Sequence, residues 1–236
     1  MNSRQAILRS VQKALQTDPS LNGRKETSPL ESQSCSIAQN MGLESLQETF
    51  EKELILAGGE FYRCERLDRG LSPLALLLES SSLDQMVISD HPICRSLEES
   101  LAKQYPKLTI RAEPPASFSD PERKQYRKNL GQIPLAITGA DFLIANTGTV
   151  ALFSSRQHHR QTSLLPQIHM VLAQPHQILP DLSSLMERFL FPPFSGSLPE
   201  AITLITGPSR TADIEKKLIK GVHGPQRLIV VFCTQG

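Results

Sequence analysis

The sequence predicts an α/β fold: a mainly parallel sheet with flanking helices, preceded by an N-terminal helical extension. Three observations predict it. Short apolar runs alternate with segments of helical period, the pattern of βαβ units. Proline and glycine punctuate the helix starts and stops. The chain of 236 residues is long enough for one substantial core.

The elements follow in chain order. Residues 3–16 read as a short amphipathic helix with Ile7, Val11, Ala14 and Leu15 on one stripe. Residues 18–40 are rich in serine and poor in large apolar residues, and read as a flexible linker. The expected division is therefore an extension over 1–42 and an α/β domain over 43–236. Leu43, Leu46, Phe50 and Leu54 recur at helical spacing until Gly58-Gly59 stops the helix. A strand is predicted at 60–64. Ser72-Pro73 opens a helix over 74–83. A strand follows at 85–89, a helix from Pro92, a strand at 108–111 and a proline-containing loop over 113–119. The basic stretch 120–130 should be helical, with Arg123, Lys124, Arg127 and Lys128 either on a solvated face or forming a partner patch.

Beyond residue 140, apolar runs at 142–145 and 150–153 flank a polar turn. A strand is predicted at 168–173, a helix at 181–191, a strand at 201–206, a helix at 211–219 and a last strand at 227–232. The run 142–145 is apolar on both faces and so is expected to be a central strand.

The totals exclude some classes of function. Net charge is +1, from 25 basic and 24 acidic residues, which gives no global pull toward nucleic acid or an anionic membrane. No apolar stretch approaches a membrane span, and residues 1–15 hold no continuous apolar run, so neither membrane insertion nor a secretory leader is expected. The four cysteines, Cys35, Cys64, Cys94 and Cys233, show no C-x-x-C spacing, which excludes a local zinc or iron–sulfur motif. Scattered cysteines fit a reducing, cytoplasmic compartment. Cys64 and Cys94 read as buried small hydrophobes.

Two turns carry the candidate chemistry. Gly207-Pro208-Ser209-Arg210-Thr211-Ala212-Asp213 lies between a predicted strand and a predicted helix. A helix start presents unpaired N–H groups that favour a carboxylate or phosphate, and Arg210 adds a fork of donors. The same residues also suit an ordinary capped helix. Asn146-Thr147-Gly148-Thr149 offers amide and hydroxyl groups where open α/β sheets place ligands, or else forms a simple strand-to-strand turn. His169 is either a satisfied core residue or a site residue. His158-His159 lacks a third metal ligand by spacing, so no metal is expected. His223, in Gly221-Val222-His223-Gly224-Pro225, belongs either to a tight turn or to a site facing Ser209.

These segments resemble a known family. Ile137-Thr138-Gly139-Ala140-Asp141 running into Ile144-Ala145-Asn146-Thr147-Gly148-Thr149, then Leu165-Pro166-Gln167-Ile168-His169, then Ile205-Thr206-Gly207-Pro208-Ser209-Arg210-Thr211-Ala212-Asp213, and the His223 loop are similar to the LUD-domain family, in particular its lactate-utilisation C-type members. The resemblance implies a fold like that of sugar-phosphate isomerases and coenzyme A transferases. It also implies a role in oxidising L-lactate to pyruvate beside partner proteins that carry iron–sulfur clusters, with no cofactor held by this chain. The implied pocket uses Thr138, Gly139, Asn146, Thr147, Gly148, Thr149, Gly207, Pro208, Ser209, Arg210, Thr211 and Asp213 to bind a small carboxylate such as lactate or pyruvate. His223 or His169 would serve as general base. The family commonly carries glutamate where this chain has Asn146, and an amide cannot form an acyl-enzyme. The competing expectations are a non-catalytic assembly subunit of that system and a stand-alone isomerase or transferase.

Overall fold

The computed structural model describes residues 42–66, 72–80, 83–113, 119–154, 159–190, 199–212, 218–220 and 224–234. The predicted helix 3–16 and linker 18–40 lie outside them. So do His158, Asp213 and His223.

Six parallel strands form the main sheet, in the order β1-β12-β7-β4-β2-β3. They are β1 (Glu60–Cys64), β2 (Gln85–Ile88), β3 (Thr109–Ala112), β4 (Leu135–Gly139), β7 (Ile168–Ala173) and β12 (Arg227–Cys233). Every residue of β4 is buried, and β7 and β12 are buried along nearly their whole length. Two-sided burial of this kind is what helices on both faces of a parallel sheet produce. Helices α2 (Ser72–Ser80) and α3 (Pro92–Gln104) supply apolar side chains to the core on one face, where Leu74, Leu77, Ile93 and Leu97 meet Met86, Ile137 and Val231. On the other face, α1 (Leu43–Leu56) brings Phe50 and Leu54 against Val171, Val230 and Phe232. There α4 (Asp120–Leu130) covers Val87 and Ala136 with Leu130.

The same face carries a second sheet of four strands, ordered β8-β5-β6-β9. Its strands are β5 (Phe142–Ile144), β6 (Thr149–Ser154), β8 (Ile178–Leu179) and β9 (Ala201–Ile205). Helix α6 (Leu182–Leu190) packs Leu185 against Ile144, Ala151 and Leu179. Short α5 (Arg160–Leu164) lies between β6 and β7 in the chain.

Two expectations are corrected here. The strand after residue 141 does not run in the parallel sheet. It pairs antiparallel with β6, and β4, just before it in the chain, is the strand that fills the interior of the parallel sheet. A turn of only two residues, Ala140-Asp141, carries the chain from one sheet to the other, which makes two strands out of a nearly continuous apolar run. The predicted helix 211–219 is likewise contradicted at both its ends, where β10 (Arg210–Ala212) pairs antiparallel with β11 (Leu218–Lys220). The α/β class with a mainly parallel sheet holds.

Candidate functional site

The carboxyl ends of adjacent parallel strands form the usual ligand crevice of an open α/β sheet. Here the ends of β2, β3 and β4 open into a cleft of about 360 Å³, counting its open mouth. Ser89 and His91 follow β2, Glu113 follows β3, and Thr138 and Gly139 close β4. The second sheet adds Asp141, Leu152, Phe153 and Ser154. The start of α5 adds His159, Arg160 and Ser163.

Local structure explains how these groups are held. His91 caps α3, its Nδ1 accepting from the N–H of Ile93 at 3.4 Å, and Pro92 supplies the first helical position. Its ring lies over Gly139, where a Cβ would fall 2.0 Å from Nδ1. Glycine is therefore required at the floor of the cleft by the imidazole above it. Glu113 is a tie: its carboxylate accepts from the N–H groups of Asp90 and His159 and from the Thr162 hydroxyl. Asp141 accepts from the N–H of Phe153 at 2.7 Å. Both carboxylates are engaged by donors of the protein itself. Arg160 is different. It is exposed, and no acidic side chain among the described residues pairs with it.

Behind the cleft wall lies His169. It is fully buried, and its Nε2 is 2.9 Å from the Thr138 hydroxyl. Burial pushes its pKa down to about 3, so it is neutral across the physiological range. Its Nδ1 has no hydrogen-bond partner among the described residues. A buried imidazole of this kind is no general base for a ligand in the cleft, contrary to the expectation from sequence; it contacts Thr138.

The two predicted turns do meet, but elsewhere. Strands β5 and β9 both flank β6 in antiparallel pairing, so their ends point the same way. Thr149 Oγ1 lies 2.8 Å from Thr147 Oγ1 and 2.7 Å from Thr206 Oγ1. The space beside this hydroxyl chain is filled by the end of α1. A Cβ on Gly148 (φ +59°) would fall 2.2 Å from the backbone nitrogen of Leu54, and one on Gly207 (φ +75°) 2.3 Å from the carbonyl oxygen of Ala57. Arg210 Nη2 donates to that same carbonyl at 2.5 Å. A cation on the C-terminal carbonyls of a helix is favourable to the helix dipole. Because β10 begins at Arg210, the described residues that follow this turn start a strand and not a helix.

A sequence profile of the LUD domain matches residues 37–233. The chain belongs to the LUD-domain family. It is 39% identical over 97 residues to lactate utilization protein C of Halalkalibacterium halodurans, covering 41% of this chain and 42% of that protein. It is 34% identical over 108 residues to lactate utilization protein C of Bacillus subtilis, covering 45% of each. The chain thus matches less than half the length of these relatives. A crystal structure of a DUF162 family protein from Deinococcus radiodurans shares the fold, with a TM-score of 0.50 and 18% identity over 82% of this chain and 99% of that one.

Of the described residues expected to form the pocket of this LUD domain, only Thr138 and Gly139 line the cleft. Gly148, Gly207 and Arg210 meet the end of α1 instead, and the turn Ala145–Thr147 packs on the same helix. Thr211 lies in β10. Ser209 donates its N–H to the carbonyl of Pro225, which brings its turn to the loop that follows His223. Sequence reasoning missed Ser89, His91, Glu113, Ser154, Arg160 and Ser163 as a group. Their signal was position: Ser89, His91 and Glu113 are polar residues within three positions of the ends of parallel strands. No helix among the described residues is long and apolar enough to cross a membrane, and no cluster of three metal-ligating side chains occurs among them.

Proposed function

We propose that this LUD-domain chain serves lactate utilisation by binding a small 2-hydroxy or 2-oxo carboxylate, lactate or pyruvate, in the cleft at the ends of β2, β3 and β4. It would work beside partner proteins whose iron–sulfur clusters take the electrons. The name borne by the relatives supports the substrate class. The observation that carries the reading is the charge arrangement of the cleft. Its two carboxylates accept hydrogen bonds from the protein, while the Arg160 guanidinium remains available at the mouth.

In this reading Arg160 holds the substrate carboxylate through its planar fork. Thr138 lies deeper and contacts the oxygen on C2. A neutral His169 accepts from or donates to the Thr138 oxygen and fixes the direction of that hydroxyl. Ser89 and Ser163 add hydroxyls on the walls. Oxidising lactate to pyruvate breaks the O–H and C2–H bonds and releases two protons with two electrons, and His91 and His159 stand at the cleft to accept the protons. The departing electrons belong to the partners. Arg210, which the sequence offered for the carboxylate, is engaged by the Ala57 carbonyl at the end of α1, so the role falls to Arg160.

Titration calorimetry of L-lactate and pyruvate into the protein tests the reading. Saturable binding that Arg160→Ala weakens is expected. Binding of neither acid, or binding indifferent to Arg160, contradicts it.

A further inference from the structure

We propose that Cys64 and Cys233 form a peroxide-sensitive dithiol that closes to a cross-strand disulfide, a modification site apart from the cleft. The two residues end neighbouring parallel strands and are partners in register, Cys64 on β1 opposite Cys233 on β12. Their sulfurs lie 2.6 Å apart. Adjacent strands run ~4.8 Å apart, within the Cα separations of about 4.4–6.8 Å that disulfides span. Closure therefore needs no movement of one strand past the other. Thr234 donates its N–H to the Cys64 carbonyl at 3.0 Å and holds the two strand ends together. The Arg227–Glu60 pair, at 2.8 and 2.9 Å, does the same at their starts.

The two thiols are not equivalent. Cys64 keeps 7% of its surface open, and Cys233 keeps none. A hydrogen bond from the Cys233 thiol holds the Cys64 pKa below the usual thiol value, and the same contact raises that of Cys233. Cys64 is therefore the sulfur that meets the oxidant as thiolate. Its sulfur attacks one peroxide oxygen, the O–O bond breaks, and the other oxygen leaves as water after taking a proton. The resulting sulfenic acid is attacked by the Cys233 sulfur, which loses its proton, and a second water leaves as the S–S bond forms. Two thiols are oxidised and one peroxide is reduced. Cys94 provides the contrast. It is fully buried, burial pushes its thiol up to about 12, and its sulfur accepts from the Ser89 hydroxyl rather than facing a second sulfur.

The test is peptide mapping of the full wild-type chain after treatment with hydrogen peroxide and alkylation of the remaining thiols in denaturant. A cross-linked peptide pair containing Cys64 and Cys233, reversed by a reducing agent, is expected. It should persist in Cys94→Ala and Cys35→Ser and be absent from Cys64→Ser. Both thiols recovered as alkylated, an oxygen adduct on Cys64 without a cross-link, or a cross-link through Cys35 would each overturn the proposal. The wild-type measurement does not depend on any variant folding.

Discussion

Two polar regions of this LUD domain stand at strand ends, and they differ in what fills them. At the ends of β2, β3 and β4, glycine and hydroxyl residues border an open cleft. At the ends of β5 and β9, a similar set of residues is occupied by the chain's own helix α1. In the cleft, Gly139 makes room for a side chain that faces outward, His91. In the turns, Gly148 and Gly207 make room for backbone, that of Leu54 and Ala57. The difference teaches that a glycine with positive φ next to threonines marks close approach, and that the approaching group can be the protein itself. A ligand site needs in addition a polar group that the fold leaves available, and Arg160 meets that condition where Arg210 does not.

The comparison can be broken first at its tightest contact. Gly148→Val places a branched side chain at φ +59° against the backbone of α1. Left-handed strain of ~1–2 kcal/mol adds to overpacking of ~1–3 kcal/mol. A fall of about 3–4 kcal/mol in unfolding free energy is expected from urea titration, with α1 loosened. A change below about 1 kcal/mol would show that α1 does not seat there.

The next effect belongs to the wall between the regions. The folded pKa of His169 is depressed from 6.5 to about 3 by burial. Between those values the unfolded chain binds a proton that the folded chain does not. Stability from this residue is therefore full above pH 6.5 and is lost as pH falls toward 3, by about 1.4 kcal/mol per pH unit. Denaturation across that window should be less steeply pH-dependent in His169→Gln than in wild type. Equal slopes would mean that His169 is not buried neutral.

Thr138→Val removes the hydroxyl that His169 contacts and leaves Nε2 unpartnered in the core. A loss of ~1–3 kcal/mol in stability is expected from the unsatisfied group, together with weaker binding of pyruvate. Thr138→Ser should restore both. Arg210→Ala gives the smallest effect. It removes an exposed donor to the end of α1 and should lower stability by ~0.3–1 kcal/mol, read as a small shift in the urea midpoint, with ligand binding unchanged.

How far the sequence spoke depended on the kind of signal. Helical spacing of Leu46, Phe50 and Leu54, and the prolines opening α2 and α3, marked elements that local chemistry dictates. The second sheet was hidden because β4 and β5 are separated by only Ala140 and Asp141, and the one glycine at the change of sheet, Gly139, belongs to β4 itself. The stretch after Arg210 carries helix-forming residues, yet Arg210–Ala212 pairs as a strand with Leu218–Lys220, tertiary pairing overriding local propensity. For the site, Thr138 and Gly139 were legible through the family resemblance. Arg160 and Glu113 were not, because they lie 22 and 25 residues from Thr138 in the chain and only the tertiary fold, through α5 and the order of the parallel strands, brings them to it.

The central claim is that the cleft, and not the pair of turns, holds the carboxylate. Calorimetric titration of pyruvate into wild type, Arg160→Ala and Arg210→Ala tests it directly. Loss of a charge-assisted fork, ~1.5–3 kcal/mol, corresponds to a weakening of roughly 10- to 150-fold for Arg160→Ala, while Arg210→Ala should bind as wild type does. Binding lost in Arg210→Ala and kept in Arg160→Ala would contradict the account.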